Sequence, residues 1–398
     1  MSYRLFFNNY GIEYKKLCKK LEICNCCQNT NRNYMSEYHQ KEVEDYFYSI
    51  KLLKEKEINL SDMQLSPKDI YRLEKTMPLL KINNITHLDL SGNRFAQETL
   101  ERTIDAINNY SPNLQILKLN RTSIGGICQY IAYFLQSNKS VQELHLETNL
   151  ISFVDMEFIF PALEENNYLL TLNLSKNDIY RDSMYLITNY IKLNRQLKSL
   201  MLNFNQINSR GFSEFAYSFK YNTNLKSVSV QTCNISFSKH ETLCYDDFLS
   251  RLESLNISGN PLSDDCIDFL CKKLEKNQSI KNLCVSRISR FKYYDLKSFT
   301  KFVNAISVNN SIMDLEFTAN GINNKMLEIF SQIFEKNHTL THVNLDVNTF
   351  DNKTLLSLLD KLKTNNCIQK IMVGTNKFRN EVDDEIKLHE KVNALVFR

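Results

Sequence analysis

The sequence predicts an α/β repeat solenoid, in which a short strand and a helix alternate along most of the chain. Three observations predict it: the pattern LxxLxLxxNxI recurs, successive copies start 27 to 32 residues apart, and the second half of each copy has helical periodicity. Eleven copies are well phased, and a weaker copy at Ile58 and Leu60 brings the total to about 12 units of about 28 residues. The well-phased copies start at Ile85, Leu114, Val141, Leu169, Leu197, Leu225, Leu252, Ile280, Ile312, Leu340 and Ile368.

Each position of the repeated pattern has a physical reason. Two apolar residues two positions apart predict a short strand with one buried face. The asparagine follows where the chain must turn, and its amide is expected to satisfy unpaired backbone groups, so that stacked copies form a ladder. This position holds Asn93, Asn149, Asn177, Asn205, Asn260, Asn320, Asn348 and Asn376, with Thr122 and Cys233 as replacements.

The second half of each unit is predicted to be helical. Residues 183–194 place Met184, Ile187 and Ile191 on one stripe, and residues 326–337 repeat this pattern. A second asparagine is expected to end several of the helices, at Asn138, Asn166, Asn194, Asn277 and Asn337.

With these repeats, the sequence resembles the leucine-rich repeat proteins of the ribonuclease-inhibitor-like subclass over roughly residues 55–380. The resemblance implies a horseshoe with a parallel β-sheet on the concave face and helices on the convex face. We expect a helical N-terminal cap in residues 1–54, the solenoid in residues 55–380 and a C-terminal cap or tail in residues 381–398. The low glycine content of the turns departs from the subclass.

The composition excludes several classes of protein. The 398-residue chain is 43% hydrophobic and 24% charged, which is typical of neither a disordered nor a membrane protein. Its formal net charge of +4 is small for a nucleic-acid-binding protein. We find neither a signal-peptide pattern nor an apolar run that could span a membrane. The odd, scattered set of 11 cysteines favours reduced thiols in the cytoplasm. We expect the protein to be a monomer.

The first 54 residues leave alternatives to a simple cap. Four cysteines and a histidine lie close together in this segment: Cys18, Cys24, Cys26, Cys27 and His39. Their spacing lacks the second paired knuckle that zinc sites favour, so we expect no metal. An F-box-like helix set would make the protein a ubiquitin-ligase substrate adaptor, but the segment shows no convincing pattern of that kind.

The sequence contains no recognisable catalytic motif. Phosphate-binding loops, HExxH and GxSxG are absent, and no cofactor is expected. His87, His145 and His342 fall at strand positions that should face the concave surface, without a nucleophile nearby. GTPase-activating proteins of the Ran type share this repeat subclass and use a loop arginine. Comparable loops here contain Arg94, Arg121, Arg181 and Arg287, without a longer matching motif. We therefore expect a non-enzymatic protein, with such a regulator as the alternative.

A protein partner is expected on the concave face and at one irregular unit. Small polar residues dominate the central strands, and acidic residues dominate the last strands. The concave face therefore lacks the basic surface that binds the phosphates of nucleic acid. The unit that starts at Ile280 is the longest, and its excess falls in the loop SRISRFKYYDL. Tyrosine and arginine are enriched at interface hot spots, although these aromatics could instead pack onto the scaffold. The predicted contact residues are Arg287, Arg290, Phe291, Tyr293, Tyr294, Phe237, His240, Met201, Phe204 and His145.

The C-terminus carries a second resemblance. An acidic block precedes the apolar residues Leu395, Val396 and Phe397, and this arrangement is similar to the C-terminal signal of effectors exported by bacterial type IV secretion systems. The resemblance implies an effector that binds a host protein in the host cytoplasm. The alternative is a capping helix over residues 380–394. The acidic block consists of Glu381, Asp383, Asp384, Glu385 and Glu390.

Overall fold

The chain divides into two compact units, Met1–Leu53 and Lys54–Arg398. The computed structural model describes residues 56–80, 85–222, 224–236, 245–288, 296–376 and 395–396. All of these belong to the second unit. The predicted cap, its cysteine cluster and the acidic block of the tail lie outside the described residues.

Short strands stack in chain order into one parallel sheet. Within the described residues the sheet has 13 strands, and each pairs with its sequence neighbours. The strands are β1 (Glu57–Asn59), β2 (His87–Asp89), β3 (Ile116–Lys118), β4 (Glu143–His145), β5 (Thr171–Asn173), β6 (Ser199–Met201), β7 (Ser227–Ser229), β8 (Ser254–Asn256), β9 (Asn282–Cys284), β10 (Asp314–Glu316), β11 (His342–Asn344), β12 (Lys370–Met372) and β13 (Leu395–Val396). The predicted fold class, an α/β leucine-rich repeat solenoid, is confirmed.

Helices connect the strands and cover the opposite face of the sheet. They are α1 (Pro67–Leu80), α2 (Gln97–Tyr110), α3 (Gln129–Ser137), α4 (Phe153–Glu165), α5 (Met184–Leu193), α6 (Asn208–Tyr217), α7 (Tyr245–Arg251), α8 (Asp264–Leu274), α9 (Leu296–Val308), α10 (Asn324–Phe330), α11 (Gln332–Lys336) and α12 (Asn352–Leu362). The helix predicted over residues 183–194 is confirmed as α5. The one predicted over residues 326–337 is divided at Ser331, whose hydroxyl donates to the Glu328 carbonyl at 2.7 Å.

The core lies between the sheet and the helices. Leu172 and Leu174 of the fifth unit are fully buried, as are Ile187 and Ile191 on α5. Burying each such side chain contributes about 2 kcal/mol relative to leaving it exposed. The pattern therefore fixes which face of every strand points inward and leaves the other face free for contacts.

The asparagine ladder forms as predicted. The Asn177 carboxamide accepts the N–H groups of Asn149 at 2.8 Å and Ile151 at 3.1 Å. It donates to the Leu146 and Leu174 carbonyls at 3.0 Å each. Each asparagine thus joins its own turn to that of the preceding unit.

The replacements in this ladder keep part of its bonding. The Thr122 hydroxyl donates to the Leu119 carbonyl at 2.7 Å, and the Cys233 thiol donates to the Leu202 carbonyl at 3.1 Å. Ile288 supplies no polar side chain, but its N–H donates to the Asn320 carboxamide at 2.8 Å. The irregular unit therefore stays in register with the next one.

A second asparagine ladder runs along the ends of the helices. Asn166 donates to the Leu135 carbonyl at 2.7 Å and accepts the Leu169 N–H at 3.0 Å. The sequence pattern predicted these asparagines only as helix ends, and three further members of the ladder were not predicted: Asn222, Asn309 and Asn365. Their recurrence one unit apart was the signal that could have found them.

The C-terminal apolar residues take part in the sheet. Leu395 and Val396 form β13 and pair in parallel with Ile371 and Met372 of β12. β13 covers the edge of the sheet that β12 would otherwise expose, which is how a repeat array protects its last unit.

Candidate protein-binding surface

Parallel pairing places equivalent residues of neighbouring strands in rows on the concave face. His145, Asn173, Met201 and Ser229 pair in register across β4 to β7. Neighbouring strands lie about 4.8 Å apart, so His145 and Met201 are separated by about 10 Å. The sheet thus brings two of the predicted contact residues onto one surface.

The centre of the concave face is uncharged and polar. From β5 to β9 its strand positions hold Thr171, Asn173, Ser199, Met201, Ser227, Ser229, Ser254, Asn256, Asn282 and Cys284. Most of these side chains are half-buried by their neighbours. Met201 is the large apolar side chain among them, so it is the best candidate to contact an apolar group of a partner.

Some small polar residues of the central units are buried and bind backbone groups instead of facing solvent. Ser175 is buried, and its hydroxyl accepts the Asn203 N–H at 3.2 Å. Ser258 is also buried and accepts the Ser286 N–H at 3.0 Å. Asn173 is buried as well. These three side chains stabilise the sheet, so they contribute little to a contact surface.

The N-terminal end of the face carries paired charges around His145. The His145 Nε2 atom lies 3.6 Å from the Glu143 carboxylate. Burial lowers the pKa of His145 below its ordinary value, although Glu143 opposes this shift. At neutral pH the ring is therefore uncharged and acts as a hydrogen-bonding group. Next to this pair, the Lys176 ammonium forms an ion pair with the Glu147 carboxylate at 2.7 Å.

The C-terminal end of the face is acidic. Asp314 and Glu316 of β10 lie in register with His342 and Asn344 of β11, and Asp346 follows that strand. The His342 Nδ1 atom is 3.0 Å from the Asp314 carboxylate. The three strand histidines thus lie on this face as predicted, and each faces a carboxylate rather than a nucleophile.

A row of left-handed residues forms a rim along one edge of the concave face. The residue just before each ladder position has a positive φ, including Lys176 at 53°, Phe204 at 57° and Arg287 at 54°. Phe204 is 42% exposed, and the Lys176 ammonium lies 5.5 Å from the centre of its ring. Exposed side chains on a fixed backbone are well suited to contact a partner.

The structure brings some of the predicted contact residues together and separates others. His145, Met201 and Phe204 lie within three neighbouring units, whereas Arg287 is on the rim three units beyond Phe204. The other predicted residues lie outside the described part of the chain: Phe237, His240, Arg290, Phe291, Tyr293 and Tyr294.

The loop arginines differ in how they are held. The Arg121 guanidinium pairs with the Asp62 carboxylate at 2.9 Å, whereas Arg287 is exposed and has no ion pair within the described segments. Among the described residues, no three or more His, Cys, Asp or Glu side chains could hold a metal ion together. Likewise, none of the described helices combines the length and apolar character needed to cross a membrane.

The repeats and the parallel sheet define the fold of the chain as a leucine-rich repeat solenoid. No protein-family model matches it. It is 26% identical to human NACHT, LRR and PYD domains-containing protein 13 over 207 residues, which is 50% of this chain and 19% of that protein. It is 22% identical to mouse ribonuclease inhibitor over 309 residues, which is 76% of this chain and 61% of the inhibitor. The chain therefore spans less than two thirds of either relative.

Two solved structures are similar to the chain at low identity. An internalin from Listeria monocytogenes matches with a TM-score of 0.43 and 17% identity, covering 89% of this chain and 93% of the internalin. The structure of the yeast Rad7 and Elc1 complex matches with a TM-score of 0.49 and 14% identity, covering 93% of this chain and 98% of that one.

Proposed function

We propose that the protein is a non-enzymatic binding solenoid whose concave face recognises another protein. One observation carries the proposal: the uncharged centre around Met201 lies between an end of paired charges and an acidic end, on a sheet held rigid by two asparagine ladders. A rigid surface loses little entropy on binding, and an apolar anchor within a polar rim is the usual anatomy of a protein interface.

The charges also describe the partner. At one end of the face Glu147 is paired with Lys176, whereas the other end holds Asp314, Glu316 and Asp346. A complementary surface would be apolar or neutral at its centre and basic on the side that meets the acidic end. Such charges raise the association rate, so binding should weaken as the salt concentration increases.

Affinity capture from a eukaryotic lysate tests the proposal with matched variants. The Met201→Ser/Phe204→Ser variant should lose at least about tenfold in recovery of a captured protein, because it removes the apolar anchors. Tyr133→Ser is the control, since it removes a large side chain that is 50% exposed on the convex helix α3. Equal recovery by both variants and the wild type would exclude the concave centre as the site.

We also propose that the protein acts as a translocated effector in a host cytoplasm, based on the resemblance of its tail. The test replaces Asp383, Asp384 and Glu385 by amides and leaves β13 intact, because truncation would also expose the edge of β12. Translocation of a reporter fusion into host cells should fall at least about tenfold, while the unfolding temperature stays unchanged. Unaltered translocation would refute a role of the acidic block as a signal.

A second candidate function rests on Arg287, the exposed loop arginine with a positive φ. In a GTPase-activating protein an arginine supplied in trans accelerates hydrolysis by about 10³–10⁵. Single-turnover GTP hydrolysis by Ran-type GTPases, with the wild type and the Arg287→Ala variant, distinguishes the two functions. Acceleration that Arg287→Ala abolishes would replace the binding proposal, and no acceleration would exclude this regulator.

A further inference from the structure

A second surface lies on the opposite side of the solenoid, between α5 and α6. There the two helices border an open groove of about 400 Å³. Tyr185 and Ser213 line one end, Tyr217 lines the middle, and Lys192 lies at the other end. From Tyr185 to Lys192 the helix rises about 10 Å, which is the length of about three extended residues.

Tyrosine rings form the walls of this groove and of its continuation. Tyr185 is 45% exposed, Tyr217 is 41% exposed and Tyr221 is 49% exposed. The Tyr217 and Tyr221 rings meet edge to face at 5.9 Å, and Tyr185 packs against Phe153 at 6.0 Å. The neighbouring rings hold these side chains in place, so a ligand would bind to preformed aromatic walls at a low entropic cost.

The charge in the groove is asymmetric. Lys192 and Lys220 occupy equivalent positions in successive units, and within the described residues neither has a carboxylate partner. Glu214, at the Tyr185 end of the groove, is paired with Arg210 at 3.6 Å. The Lys220 ammonium lies 5.8 Å from the centre of the Tyr217 ring, which brings positive charge beside an aromatic wall. The groove therefore complements a negatively charged ligand that also has an apolar part.

A buried hydroxyl provides an independent sign of a ligand. Thr188 lines the groove and is only 6% exposed, yet its Oγ1 atom has no hydrogen-bond partner in the described part of the chain. A buried unpartnered hydroxyl is unfavourable by about 1–3 kcal/mol. The Oγ1 atom is closed to solvent, so an entering carbonyl or carboxylate oxygen would accept its hydrogen bond and remove this penalty once the side chain turns toward the groove.

We propose that the α5–α6 groove binds a short acidic peptide segment of a partner protein. The peptide is extended, places an apolar side chain between Tyr185 and Tyr217, and presents carboxylates to Lys192 and Lys220. This site is independent of the concave face, so each proposal can fail without the other.

Fluorescence anisotropy with a defined probe tests the site. The probe is a labelled hexapeptide with a central leucine–tyrosine pair flanked by two glutamates on each side. The control is an amide peptide with glutamine in place of every glutamate. The acidic peptide should bind saturably and at least about tenfold more tightly than the amide peptide at low salt. Equal affinity of the two peptides, or no saturation, would overturn the proposal.

Variants then locate the binding. Lys192→Gln/Lys220→Gln and Tyr217→Ala should each weaken binding about tenfold, whereas Lys272→Gln on α8 should change it less than about twofold. A photoreactive analogue of the central tyrosine should label α5 or α6. Labelling of the concave face, or tighter binding of a single-stranded oligonucleotide that depends on the same lysines, would refute the peptide assignment.

Thr188→Val separates a role in binding from a structural one. The substitution keeps the shape of the side chain and removes the unpartnered hydroxyl, so the unfolding temperature should stay equal or rise. Peptide affinity should nevertheless fall several-fold. Unchanged affinity would show that the hydroxyl does not contact the peptide, which would remove the observation that distinguishes this groove from an ordinary surface furrow.

Discussion

Replacing Asn177 by alanine tests whether the ladder asparagines hold neighbouring units together. The side chain is 7% exposed and bonds backbone groups of its own unit and the preceding one. Its removal leaves the N–H groups of Asn149 and Ile151 buried without an acceptor. Each unpartnered group costs about 1–3 kcal/mol, so we expect the free energy of unfolding to fall by about 3 kcal/mol.

Urea denaturation followed by circular dichroism measures this change. With a slope of about 3 kcal/mol per molar, as expected for a chain of this size, the midpoint should fall by about 1 M. Tyrosine fluorescence provides a second probe, because a weakened interface between repeats can separate the unfolding of the two halves. If the circular dichroism and fluorescence transitions do not coincide, the two halves of the solenoid unfold separately. The lower midpoint would then belong to one of the two halves.

Two further variants sharpen the test. Asn177→Thr copies the arrangement of Thr122, which keeps a bond to a carbonyl, so its loss should be smaller than that of the alanine variant. Asn189→Ala removes an exposed asparagine from α5 in the same unit and should change the free energy by less than about 0.5 kcal/mol. If Asn177→Ala matched Asn189→Ala, the hydrogen bonds of the ladder would not stabilise the fold and the reasoning would fail.

Three other predictions follow from local features. Gly92→Ala should lower the unfolding temperature more than Gly126→Ala. Both residues have positive φ, but a Cβ at Gly92 would collide with the Asp62 side chain, whereas a Cβ at Gly126 would meet open space. Burial raises the pKa of the Cys233 thiol to about 12, so iodoacetamide at pH 8 should label it only after denaturation, as peptide mass spectrometry can show. The hydrogen bond from the Thr354 N–H lowers the pKa of Asp351 at the start of α12. Asp351→Ala should therefore lower the free energy of unfolding by about 1 kcal/mol above pH ~4, and this difference should disappear as the pH falls through the lowered pKa. Urea titrations at several pH values measure the difference.

The periodic features of the fold could be predicted from the sequence because each depends on residues within one unit. Leu144 points inward because it alternates with Glu143 and His145, and Asn149 turns the chain because its amide bonds nearby carbonyls. Met201 and Phe204 were likewise predicted outside the core from the alternation along one strand and turn, and the structure has them there.

The remaining features depend on the neighbouring unit, which a single repeat does not reveal. Ser175 is buried because the next unit supplies the N–H that its hydroxyl accepts. Likewise, the groove between α5 and α6 arises from Tyr185 and Tyr217 on separate helices, and the pattern within either helix identified only the buried stripe.

Several rim positions combine a strained backbone with a large side chain. A positive φ costs a residue other than glycine about 1–3 kcal/mol, and it is most unusual for β-branched residues. Yet this rim position holds Thr148 at 60° and Val347 at 59°, as well as Phe204 and Arg287. Glycine occurs at Gly92 and Gly259, where a Cβ would collide with a side chain of the preceding unit. At Phe204, Arg287 and Val347 the rim keeps large side chains where glycine would relieve strain, which supports a contact role for the concave face and its edge.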